Sequence, residues 1–428
     1  MNFIDFFTKD ILGTPALLIG LIAALGLILQ KKTFSTIVGG FVKTATGYLI
    51  LQGGAGIVVN VLLFLGPVIQ KAFGITAPAT GGMGYDTFLK TWGGYAAASV
   101  AVGFVVNLLL ARFTKFKYVY LTGHLMIVGA ECVMAGLIAT FANIQPLVAI
   151  LATGVVLGIY WTLQPAYVNN YMKGVMKSDD LAYGHTSSLG VFIAATLGKF
   201  VGKPEDSTEN LELPESLDIF KDTVISLALV MGVFTVIIAL IAGPAAVSEF
   251  SGTTNYITYS LIQGFTFGAG ISIILYGVRL IIGELVPAFR GVSKVLVPGA
   301  KPALDCPIVF PSAPTAVLVG FLSSFAGFVV SMIIIGAAGW GVVIPNMITV
   351  FFPGAAAGVF GNSTGGWKGA ILGGFIMGVL LAFGQLITGN MLAQANSVPF
   401  LALDADPDTH ILPWIGNLLG TIFKGLGL

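Results

Sequence analysis

The sequence predicts an all-α polytopic membrane protein, and three observations carry that prediction. Charged residues make up 9% of the 428, 20 basic and 19 acidic, whereas about a quarter of a soluble domain is charged. Hydrophobic residues make up 56%, and the mean hydropathy is +0.95. Stretches 133–172, 306–367 and 369–403 hold no charged residue; each is long enough for roughly one to three crossings at about 20 helical residues per crossing.

The same numbers exclude other classes. A net charge of +1 without a basic cluster argues against nucleic-acid binding. Cys132 and Cys306 lie in apolar sequence and form neither a disulfide framework nor a zinc site. Continuous apolar runs argue against a barrel, whose strands alternate. No GxxxxGK[ST] occurs, so the chain has no P-loop for ATP. No cofactor, metal site or catalytic residue is expected.

In chain order, Met1–Asp10 lacks the basic start of a signal peptide and reads as an amphipathic lead, Phe3–Phe7. Expected spans follow at 13–30, 37–59, 94–111, 120–142, 146–163, 223–246, 253–277, 313–338, 341–358 and 369–393, with a weak one at 411–427. That makes about 11 transmembrane helices. The polar stretch 199–222 reads as a cytoplasmic connector between halves 1–198 and 223–428. Segment 178–198, SDDLAYGHTSSLGVFIAATLG, is too polar at its start to cross and too apolar at its end for a loop, so a re-entrant hairpin is expected. A second is expected at 358–369, GVFGNSTGGWKG.

The halves look duplicated. Gly56 opens GIVVNVLLFLGPVIQKAFG and Gly277 opens GVRLIIGELVPAFRGVSKVL, an offset of 221 (277 − 56). Asp86 and Asp305 follow at an offset of 219 (305 − 86). Basic residues gather at 31–32, 112–117, 173–177, 199–221 and 279–301. With the N-terminus outside, the first three of these loops are cytoplasmic. Segment 60–73 then faces outward and its partner 279–300 inward, as two inverted repeats require.

Ionisable groups inside apolar sequence mark function, because each costs about 2.5–3.5 kcal/mol at a helix centre. His124 follows Gly123, at a helix start or a kink, and can both donate to and accept from a hydroxyl-rich ligand. Glu131 lies close to two turns further on, able to share that face or to be paired structurally. His185 with Thr186, Ser187 and Ser188, between Gly184 and Gly190, is the densest polar cluster outside a loop and suits a neutral polyol or a partly anionic sugar. Asp305 reads as an acceptor for substrate hydroxyls, as a helix cap, or as both. Asn362 is a further candidate. Glu284 reads as half of an interfacial ion pair with Arg279 or Arg290, Cys306 as packing, and Asp404, Asp406, Asp408 and His410 as a solvated loop.

The segments LQGGAGIVV (51–59), LTGHLM (121–126), YGHTSSLG (183–190), YGVRLIIGELVPAFRGVSKVLVPGAKPALDC (276–306) and PGAAAGVFGNSTGGWKGA (353–370) occur in this order. Together they resemble the membrane component, enzyme IIC, of the ascorbate-type phosphotransferase system and its galactitol-type relatives. The resemblance implies a homodimeric permease of the bacterial inner membrane, surrounded by lipid. It also implies a V-shaped dimerisation domain and a core that moves as an elevator. Phosphoryl chemistry then belongs to cytoplasmic partners, EIIB and EIIA. The site residues it implies are His124, His185, Thr186 and Asp305, with Ser187, Glu131 and Asn362 as second choices. Glutamines of the ascorbate-type pattern are replaced here by Leu125–Met126–Ile127–Val128 after one histidine and Thr186–Ser187–Ser188 after the other. The expected substrate is L-ascorbate or a similar small polyhydroxylated sugar or sugar acid. The rival expectation is a proton- or sodium-coupled carrier in which Asp305, Glu131 and the histidines carry protons.

Overall fold

The computed structural model describes residues 14–75, 82–211 and 222–427. The lead Phe3–Phe7 and the start of the first expected span lie outside them. Helix α1 (Pro15–Leu29) leads into α2 (Phe34–Ala72), α3 (Tyr85–Phe113), strand β1 (Tyr118–Tyr120), α4 (Gly123–Thr140), α5 (Pro146–Met176), β2 (Ala182–Tyr183) and α6 (Ser188–Val201). After the connector come α7 (Thr223–Ala242), α8 (Pro244–Ser251), α9 (Tyr256–Val295), β3 (Lys301–Leu304), a 3-10 turn at Cys306–Ser312, α10 (Pro314–Ala337), α11 (Met347–Gln394), α12 (Phe400–Leu403) and α13 (Pro407–Leu426). Helix starts follow their sequence signals. Prolines open α1, α5, α8, α10 and α13, and Asp222, Asn255 and Asn346 accept first-turn amides of α7, α9 and α11.

Among the described residues, eight helices are long and apolar enough to cross a membrane: α2, α3, α4, α5, α7, α9, α10 and α11. The chain is thus a multi-pass, predominantly helical membrane protein. The expected spans at 13–30 and 411–427 correspond to the shorter α1 and the amphipathic α13, while 341–358 and 369–393 share α11.

The amphipathic segments 60–73 and 279–300 are not separate elements. They continue α2 and α9, which have 39 and 40 residues and hold Pro67 and Pro287 without breaking. At 1.5 Å per residue, each is about 60 Å long, roughly twice the hydrocarbon thickness. The two cross antiparallel at glycines: a Cβ on Gly54 would meet the Gly270 carbonyl at 2.7 Å, and one on Gly277 would meet the Leu51 amide at 2.5 Å. Small residues let these backbones touch where any side chain would separate them.

Segment 358–369 is the tip of a helical hairpin. The two arms of α11 meet at Gly366, whose φ of 59° and ψ of −152° interrupt the helix. Gly361 packs on Gly369, and Gly373 on Ala357, so the arms run back along each other.

Segment 178–198 is also different in detail. It enters as β2 and returns as α6, which runs beside the end of α5 in the same direction. Tyr167 meets Ser188, Tyr171 bonds to Thr196 at 2.8 Å, and Gly174 and Lys199 line one crevice. Both ends of the excursion therefore lie at one level. The polar connector is structured over 199–211, where Glu209 accepts from the Thr315 and Ala316 amides and so caps α10.

The sheet was not anticipated by an all-α reading. It is small, parallel and ordered β1-β3-β2, with Tyr120 and Ala182 both opposite Ala303. Strands of two to four residues leave no periodic signal in apolar sequence. They matter because each ends at a candidate site residue.

Candidate functional site

The three strands run in parallel and stop together. After β1 come Thr122 and His124, after β2 His185 and Thr186, after β3 Asp305 and Cys306. Helices or turns begin immediately beyond, so the site lies at strand carboxyl ends and helix amino ends, where free N–H groups face a ligand. Backbone bonds tie these ends: Gly184 N–H donates to the Leu304 carbonyl at 2.7 Å, and the Thr122 hydroxyl donates to the Gly184 carbonyl.

Asp305 stands between the two imidazoles. Its Oδ1 is 3.6 Å from His185 Nε2, and its Oδ2 is 3.7 Å from His124 Nε2. It also accepts the Cys306 amide at 2.7 Å, as the helix-cap reading expects. His185 is buried, whereas the side chain of His124 is 50% exposed and forms part of the cavity wall. The Ser187 amide donates to His185 Nδ1 at 3.0 Å. That bond assigns the ring proton to Nε2, which faces Asp305 as a donor. Donor atoms of His185, Asp305 and Cys306 lie within 4.8 Å of one another, a spacing open to a metal ion. In the assigned tautomer, however, Nε2 has no free lone pair to offer one.

A cavity of about 400 Å³ opens over this cluster. His124, His185, Thr186, Asp305 and Cys306 line one side, and Tyr48, Gln52 and Val59 of α2 line the other. Of the remaining expected residues, Ser187 is buried behind His185, bonded to Tyr183 Oη at 2.7 Å and to His185 Nδ1 at 2.9 Å. Glu131 is buried on α4 and accepts from Tyr85 Oη at 2.9 Å, away from the cavity lining. Asn362 is not brought to the cluster. It lies at the α11 hairpin tip, accepting from the Thr208 amide at 2.9 Å and donating to Ser207 Oγ at 2.9 Å in the connector.

The acidic run at 404–410 requires the main correction. It is not a solvated loop: Asp406, Asp408, Thr409 and His410 are buried, while Asp404 stays exposed at the cavity mouth. Asp404, Asp406 and Thr409 line the cavity. Asp406 accepts from the Thr186 hydroxyl and lies 3.5 Å from His185 Nδ1. Asp408 accepts from Ser188 Oγ, the Leu189 amide at 2.9 Å and Tyr160 Oη at 2.8 Å. Its own amide donates to the Thr186 carbonyl at 2.9 Å. A signal for this was present in the sequence. The repeat offset of 219 to 221 carries 185–189 onto 404–410, and the Thr186–Asp406 and Ser188–Asp408 pairs are both separated by 220 residues. Gln52 and Thr349, which also line the cavity, carried no such signal.

Several charges pair across the fold. Asp179 sits between Lys301 and Lys173, the latter at 3.1 Å. Desolvation raises its carboxyl, but the two ammonium groups outweigh that and hold it below its ordinary value. Glu284 does form an ion pair, with Lys43 at 3.0 Å and not with Arg279 or Arg290.

A sequence model of the family described as EIIC-GAT, PTS system sugar-specific permease component, matches residues 10–406. Over 474 aligned residues the chain is 28% identical to the ascorbate-specific PTS system EIIC component of Mycoplasma pneumoniae, covering 96% of this chain and 70% of that protein. A multi-pass helical protein with a cavity at its strand ends, matched along nearly its whole length, thus belongs to the EIIC-GAT family of phosphotransferase-system sugar permeases.

Proposed function

We propose that the chain binds L-ascorbate or a similar small polyhydroxylated sugar or sugar acid in the cavity at His124, His185, Thr186 and Asp305. It carries this solute across the bacterial inner membrane and presents it to a cytoplasmic EIIB, itself charged by EIIA, for phosphorylation. The observation that carries the reading is Asp305 set between two imidazoles on the wall of a 400 Å³ cavity. Alternating acceptors and donors at that spacing suit vicinal hydroxyls. The M. pneumoniae relative's described specificity supports the ascorbate class.

The scaffold supports a transport mode as well. Helices α2 and α9 are of nearly equal length, run antiparallel, and carry prolines 220 residues apart (287 − 67). This supports inverted repeats at 1–198 and 223–428, joined by the connector 199–222, with the N-terminus outside. In this reading α2 and α9 belong to the V-shaped dimerisation domain of a homodimer. The strand-end cluster rides in the core as an elevator.

The test is uptake in vesicles with a collapsed proton gradient, supplied with phosphoenolpyruvate and the soluble phosphocarriers. Uptake should persist, and Asp305→Ala should reduce it by about 100-fold, a lost charge-assisted contact of roughly 2–3 kcal/mol. Abolition by the collapsed gradient alone would instead favour the ion-coupled carrier.

A further inference from the structure

The cavity has an unusual charge inventory for a site offered to a sugar acid. Among the described residues that line it are three carboxylates, Asp305, Asp404 and Asp406, and two imidazoles, but no lysine or arginine. The nearby basic groups are engaged elsewhere: Lys173 and Lys301 with Asp179, and Arg290 near Asp180 at 4.0 Å. Carboxylates accept hydrogen bonds from hydroxyls, so a neutral polyol is matched. An anion is repelled, because like charges held close together in a partly desolvated cavity oppose one another.

A proton lessens that conflict by one charge, and the geometry indicates where it goes. His185 is buried, already neutral, with Nδ1 occupied by the Ser187 amide. His124 is half exposed to the cavity, 3.7 Å from Asp305. The titratable groups that share its cavity are Asp305 and Cys306 after β3, His185 after β2, Asp404 and Asp406 before α13, and Tyr48 on α2. Protonated His124 would form an ion pair with Asp305 and cancel one negative charge facing the solute.

Resting on the reading of this cavity as a sugar site, we propose that it takes small polyols in neutral form and admits a sugar-acid anion only together with one proton, received by His124. The proton comes from hydronium in the surrounding water, whose O–H bond breaks as the imidazole N–H bond forms, and it stays on the ring while the anion is bound.

Calorimetry on the purified full-length chain, in buffers of different ionisation enthalpy between pH 6 and pH 8, reads the proton directly. The probes are L-ascorbate, an anion over this range, and the neutral hexitol galactitol. Ascorbate binding should take up about one proton, and its affinity should fall by up to about tenfold per pH unit. Galactitol should compete with ascorbate and bind without proton exchange or pH dependence. In His124→Gln, proton uptake on ascorbate binding should drop toward zero and the pH slope should flatten. Ascorbate binding equally at both pH limits with no proton uptake overturns the proposal and leaves the sugar reading standing. So does a hexitol that fails to compete. A slope unchanged in His124→Gln overturns the assignment to that residue. Binding of neither probe overturns the sugar reading and this proposal with it.

Discussion

Two helix starts meet at the floor of the cavity, and they are finished in different ways. Helix α13 caps itself: Asp406 accepts from the Thr409 amide, while the Thr409 hydroxyl accepts from the Asp406 amide at 2.6 Å. Helix α6 has no side-chain cap of its own. Its first turn is completed by Asp408, 220 residues away, through Ser188 and the Leu189 amide. One start is local and can form wherever its sequence is placed. The other exists only when both halves are folded together. The cavity-lining residues His185 and Thr186 sit beside the dependent one, so the cavity's geometry there is set by a carboxylate that does not itself line it.

Substitutions can separate these roles. The largest effect is expected for Asp408→Ala, which leaves Leu189, Ser188 and Tyr160 without their buried acceptor. Thermal unfolding in detergent should show a loss of about 3 kcal/mol, with Asp408→Asn losing less. Equal losses from Asp408→Ala and Asp406→Ala would break the contrast. Next, Asp406→Ala should weaken solute binding about 30-fold, near 2 kcal/mol, because that carboxylate faces the cavity; equilibrium binding measures it. Thr186→Val, which deletes only the hydroxyl donor to Asp406, should cost about tenfold in the same assay. Asn362→Ala should leave solute affinity unchanged and lower stability by about 1 kcal/mol, since its amide serves the connector. The smallest effect belongs to Asp179. Its carboxyl lies below its ordinary value in the folded protein, so its contribution is present at neutral pH and lost as pH falls through the carboxylate range. Asp179→Asn should flatten that part of the stability profile.

The spans and the His124, His185 and Asp305 cluster were legible because lipid makes a polar residue expensive and therefore conspicuous. Helix continuity was less legible. The expected spans stop at 59 and 277, yet α2 and α9 run on through Pro67 and Pro287 to Ala72 and Val295. Asn362 was conspicuous for the same reason as His185, but its partners are connector groups that no local pattern reveals. The acidic run at 404–410 looked like a surface loop because its charges are dense. Its burial depends on tyrosines of α5 and hydroxyls of α6, contacts that only the tertiary structure brings within reach.

The strand order has a consequence for how the protein is made. β3 lies between β1 and β2, so the two earlier strands have nothing to pair with until Lys301–Leu304 have left the ribosome, 118 residues after Tyr183 (301 − 183). A nascent chain halted in the connector therefore holds two strands whose shared partner has not yet been made, with backbone groups left unpaired. Translation must run well into the second half before the first can settle.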